Sequence, residues 1–202
     1  MTVVFEMALR DIDPRTLDDL KNKYPEAVVR IESEHARYES GMDEDGFWAV
    51  IDLFNWKKTD RQDVIAPAVE ALSRLDATAI YAFHDILHEK LYALDGRRFA
   101  EQLGSNRFAP GENKYFSVDD FLYARCAVVA NGRIFFETVL HNPKRMPKEY
   151  TFETILYLPE LAWKMKTGRD DYNHSPDVWC ETFSNSEGWP GITPLKDRLL
   201  NL

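Results

Sequence analysis

Cysteine is scarce in this chain, and no cysteine pattern marks a cross-link or a metal. Two occur among 202 residues, Cys126 and Cys180. Neither stands in a CxxC or CxxH spacing, which argues against a thiolate zinc site and a disulfide framework. No run approaches the roughly 18 apolar residues of a membrane span. Met1–Leu9 has neither the basic start nor the long apolar stretch of a secretory signal. These absences predict a reducing, cytoplasmic setting with free thiols. Basic stretches are short as well, Arg97-Arg98 and Lys144-Arg145-Met146-Pro147-Lys148 being the densest. With 25 Lys+Arg against 34 Asp+Glu, the formal charge is −9 and the pI about 5.1. That balance argues against nucleic acid and against anionic membranes as partners. Gly-x-Ser-x-Gly, Gly-x-Gly-x-x-Gly and Walker loops are also missing. The signatures of hydrolases, dehydrogenases and kinases are therefore not found, and no catalytic residue and no cofactor are predicted.

What is present is the composition of a folded domain: 45% apolar, 13% aromatic and 29% charged residues. A chain of this length buries roughly 70% of its unfolded surface, enough for one sizeable core. Thr2–Leu9 alternates apolar and polar residues as a half-buried strand does. Asp13-Pro14 reads as a cap and first turn for a short helix through Leu17, Leu20 and Tyr24, and Ala27–Ser33 alternates again. The expectation is an α+β fold, with a β-α-β element over residues 1–40 and a helical domain over 41–202. Two strands seldom stand alone, and Val178–Phe183 is the candidate third. The open sheet edges of the front element point to a homodimer.

From residue 47 onward the pattern is helical. Phe47, Val50, Ile51 and Phe54 share a face, and Asp43, Glu44 and Asp45 read as its cap and acidic first turn rather than as a cation site. Val64, Ala68, Ala71 and Leu75 form a second stripe, with Pro67 tolerable only near a first turn. Asp76 reads as the cap of a third helix, with Ile80, Phe83, Leu87, Leu91 and Leu94 inward. Phe99 and Leu103 belong to a short fourth. Ser117-Val-Asp-Asp120 opens a helix through Phe121, Ala124 and Val128, which Asn131-Gly132 ends. Arg133–Leu140 reads as a further helix, although its Ile, Phe and Val content would also suit a strand. Glu153–Lys166 is helical with a break at Pro159, and the chain beyond Gly168 is irregular.

Three of these stretches form a pattern in their order and spacing. They are Phe47-Trp48-Ala-Val-Ile51-Asp52, Asp119-Asp120-Phe121-Leu-Tyr-Ala-Arg125-Cys-Ala-Val-Val129, and Gly132-Arg133-Ile-Phe135-Phe136-Glu137-Thr-Val-Leu140, with Pro143 after them. Together they resemble the bacterial family called domain of unknown function 4240, over residues 42–143. The resemblance implies a mostly helical bacterial domain. It carries no catalytic residues and no established activity.

Several polar residues border the apolar faces. His84 and His88 lie four apart on one side of their helix, a spacing at which two imidazoles share a zinc ion. No HExxH order accompanies them and Glu89 points elsewhere, so a half-polar stripe covering the core edge is the favoured reading and a metal pair the alternative. Trp48 and Asp52 form a similar flank, read as core closure or as a binding anchor. Arg125 falls near the buried face of its helix. A guanidinium there needs a carboxylate or several carbonyls, and Asp52 or Glu137 is the expected partner, with Arg133 joining through Glu137. An Arg125–Arg133 pocket for a small anion is the alternative. Asp170–Asp177 is polar but lacks calcium-loop order, and reads as turn chemistry.

Neither catalytic motifs nor a basic footprint being present, the expected role is non-enzymatic: a protein-binding or regulatory module whose acidic surface suits a basic partner. A metal-dependent enzyme on His84 and His88 and a small-anion sensor on Arg125 and Arg133 are the alternatives.

Overall fold

A computed structural model describes Lys23 and residues 41–111 and 115–191. The elements below all lie in the unit Arg37–Leu202. Seven α-helices run between Glu44 and Thr167: α1 (Glu44–Ile51), α2 (Arg61–Ser73), α3 (Ala77–Ala93), α4 (Arg97–Ala100), α5 (Val118–Ala130), α6 (Arg133–His141) and α7 (Leu158–Thr167). Short 3-10 segments at Pro143–Arg145 and Glu153–Tyr157 lie between α6 and α7.

Three helices start where the sequence supplies a side-chain acceptor, whereas Asp76, the expected cap of α3, makes no side-chain cap bond. Asp43 accepts from the Gly46 amide at 2.8 Å, and Asp60 accepts from the amides of Gln62 and Asp63. Ser117 accepts from that of Asp120. These side chains satisfy backbone donors that the first turn leaves open. Glu44 and Asp45 place negative charge at the positive end of α1. At the junction of α5 and α6 the chain turns at Gly132, whose φ of 86° lies in the region that glycine enters without penalty. Pro159 sits in the first turn of α7, so the expected break is a helix start preceded by a 3-10 segment. Proline fits there because the missing N–H would be unpaired in any case.

The core is built on α3, whose Ile80, Phe83, Leu87 and Leu91 are fully buried, as is Leu94 just beyond it. α2 packs along α7, while α5 lies against α3, α6 and the Glu153–Tyr157 segment. On α2 the buried residues are Val64, Ile65, Ala68, Val69 and Leu72. Leu75 is exposed, so the stripe is rotated from the one expected. Pro67 lies inside α2, beyond its first turn.

After Gly168 the chain has no regular secondary structure through Gly191. Residues 169–189 form a strap over α3 and α5. It ends on Trp189, buried among Phe108, Phe116, Phe121 and Phe183 at centroid separations of 4.5–6.3 Å. Gly188 meets the turn after α3 backbone to backbone: a β-carbon there would lie 2.2 Å from the Asp95 carbonyl oxygen.

The α+β expectation is corrected here. Among the described residues there is helix and no strand. Val178–Phe183, the candidate third strand, belongs to the strap. Burial does alternate along it, with Cys180 and Thr182 inside and Trp179 exposed. Its backbone groups, however, bond to side chains of the helices and of the turn after α3. The Val178 carbonyl meets His88, that of Cys180 accepts from Arg125, and the Phe183 amide donates to Asp95. With those groups already satisfied, no partner strand is required. The expected strands Thr2–Leu9 and Ala27–Ser33 lie outside the described residues, as does the helix between them apart from Lys23.

Candidate functional site

A cluster of titratable side chains lies where the strap crosses α3. One turn apart, His84 and His88 place their rings edge to face, 4.6 Å between centroids. His84 Nδ1 is 3.0 Å from the Tyr172 hydroxyl. His88 Nδ1 is 3.0 Å from the Val178 carbonyl. A carbonyl only accepts, so Nδ1 of His88 carries the proton and Nε2 presents its lone pair. That lone pair faces the Cys180 thiol, with Sγ 3.7 Å away. Asp85, on the same helix, accepts from His174 Nε2 at 2.7 Å, and the His174 ring stacks on Tyr81.

The electrostatics follow from burial. Burial first, then the neighbouring His88 and His174, push His84 down to about 3. His88 is also lowered by burial, against the Val178 carbonyl and Asp85, which favour its charged form. The Cys180 thiol is pushed up to about 11, burial outweighing the opposing pull of Arg125. At neutral pH His84 and His88 are therefore uncharged imidazoles beside a protonated Cys180 thiol. Thiol chemistry runs through the thiolate, which this setting suppresses. Among the described residues, no group of three or more His, Cys, Asp and Glu side chains is arranged to hold a metal ion.

Arg125 is placed in a second, wholly buried network. It is fully inaccessible, and it donates to the carbonyls of Leu91 and Cys180, both at 2.9 Å, and to the Thr182 hydroxyl at 3.0 Å. Its nearest carboxylate is Asp95, 3.9 Å away. Asp95 in turn accepts from the Trp189 indole and from the amides of Phe183 and Asn185. The guanidinium lies over the Phe121 ring, and its Nε has no partner. The expected pairing with Asp52 or Glu137 is thus replaced by one with Asp95 and carbonyl groups.

The remaining candidates gather where α1 meets α6. Trp48 is buried against Phe136 and donates to Glu44, which pairs with Lys90. Arg133 pairs with Asp45, not with Glu137, whose side chain is exposed. Asp52 is exposed at the end of α1, its carboxylate beside Gly132. Arg125 and Arg133 therefore do not share a pocket. The residues not foreseen are Asp85, Asp95, Tyr172, His174, Cys180, Thr182 and Trp189. The histidine pair gave the signal for the cluster, but its partners lie 88–92 residues away in sequence.

Among the described residues no helix is long and apolar enough to cross a membrane. A family model described as "Protein of unknown function (DUF4240)" matches residues 42–165. The match includes the stretches over which the resemblance was seen and extends through most of α7. No curated protein and no solved structure matches the chain.

Proposed function

The chain belongs to that family, DUF4240, and from this premise we propose that its helical unit is a cytoplasmic protein-binding module with a regulatory role. The observation that carries the reading is a group of exposed aromatic side chains around the Glu153–Tyr157 segment. Trp56 and Tyr150 are each 45% exposed and Tyr157 is 52% exposed. Trp56 leans on the buried Phe152, 5.1 Å between centroids, and the Arg61–Glu153 ion pair lies at the same place. Tryptophan, tyrosine and arginine are the side chains that dominate binding hot spots, since they bury large area while keeping a polar tip. The net charge of −9 adds long-range attraction for a basic protein partner.

The test is a capture experiment with the full chain and with Trp56→Ala/Tyr150→Ala. The reading expects a specific partner to be retained by the parent and weakened at least tenfold by the double variant. Trp179→Ala, exposed elsewhere, should leave capture unchanged. Equal capture by all three chains overturns the reading, and so does capture of none. Light scattering on the same samples decides whether the occupant is a second copy of the chain.

A further inference from the structure

We propose that residues 172–180 form an acid-releasable section of the strap, seated on α3 by uncharged imidazoles and lifting from that helix when His84 and His88 take up protons. The strap has no helix or sheet of its own, so its seat depends on contacts with the helices. Over 172–180 these are concentrated on one flank of α3: Tyr172 on His84, His174 on Asp85 and Tyr81, and the Val178 carbonyl and Cys180 thiol on His88.

Protonation acts differently on each contact. His88 uses Nδ1 as a donor to Val178, so the added proton goes to Nε2, which then no longer accepts from the Cys180 thiol. Charged rings at His84 and His88 would face each other at 4.6 Å, with His174 adding to the repulsion. The hydroxyl of Tyr172 and the ring of Tyr81 are the other groups at His84 and His174. Across Cys180 the Arg125 guanidinium adds positive charge. Asp85 opposes release: it pairs with His174 and favours the charged form of His88. Burial is nevertheless the largest influence on both α3 histidines, and opening the strap relieves it. Acid therefore favours the lifted state.

If His84 returns from about 3 to its ordinary 6.5 on release, linkage gives an opening equilibrium about thirty-fold larger at pH 5.0 than at pH 7.5. Labelling of the Cys180 thiol on the full chain, corrected for the intrinsic pH dependence of the thiol reaction, reads this change. Cys180 should become more accessible by about that factor between the two pH values, while Cys126, fully buried in α5, remains unlabelled. In His84→Gln/His88→Gln the strap should be looser at pH 7.5 and its pH response should shrink. An unchanged strap in the parent chain overturns the proposal, as does a full pH response in the double variant. A carbon-detected histidine titration of the parent chain keeps the proposal falsifiable if that variant does not fold. His84 must stay neutral well below pH 5, and titration near 6.5 also overturns it.

Discussion

Arg125 carries its charge at a fully buried position, and its neighbours show how that is tolerated. Two carbonyls and a hydroxyl take its hydrogen bonds, and a carboxylate stands 3.9 Å away. The carboxylate is satisfied by donors of its own. Removing one member of such a set leaves the others buried and unpaired, which costs more than the interaction contributes. Arg125→Ala should therefore destabilise the chain by about 3 kcal/mol or more, read as a shift in the urea midpoint. Arg125→Lys should recover only part of the loss, because a single ammonium does not reproduce the planar fork that reaches Leu91, Cys180 and Thr182. The need for a partner was legible in the sequence, since a charge on an apolar face must be compensated. Its identity was not. Asp95 follows α3 directly, and nothing local marks it as the counter-charge of a residue thirty positions on.

Helices were the most legible elements, because their caps and apolar spacing are local properties. Ser117 illustrates this: its hydroxyl accepts from the Asp120 amide at 3.1 Å. Ser117→Ala should cost about 1 kcal/mol, visible as a lowered thermal midpoint. Ser117→Gly should cost less, since glycine is itself tolerated at a cap. The strap was misread for an equally physical reason. Alternating burial along Val178–Phe183 is genuine, and a strand produces it too. What separates the two is where the backbone groups find partners, and here they find them on side chains about 90 residues away in sequence. Period alone does not carry that information. The same distance hid the candidate site: His84 and His88 were visible as a pair, whereas Tyr172, His174 and Cys180 reach them only through the fold.

At the scale of the whole molecule the buried imidazoles set a pH dependence. His84 is held at about 3 in the folded chain against 6.5 ordinarily. Below pH 6.5 the unfolded chain takes up a proton that the folded one refuses, so stability is complete above that value and falls as the pH drops toward 3. His88, lowered in the same direction, adds to the slope. Glu44 acts in the same sense at its acid end: Lys90 and Trp48 hold its carboxyl below 4.5, and the stabilisation it gives is lost as that group protonates. Urea titrations at pH 7, 6, 5 and 4 should show a progressive decline, with a slope approaching about 1.4 kcal/mol per pH unit for each proton taken up. His84→Gln should flatten the decline between pH 6 and 4.

The strap also bears on how the family's boundaries relate to a foldable piece. The matched region ends at residue 165, yet Cys180, Thr182 and Trp189 complete the surroundings of Arg125 and Asp95, both inside it. An excised fragment stopping at 165 would open a cationic hole in its own interior and strip the aromatic lid from Phe121. Recombinant 41–165 should be insoluble or molten where 41–191 is not, so the smallest autonomous version of this domain is longer than the segment by which its family is recognised.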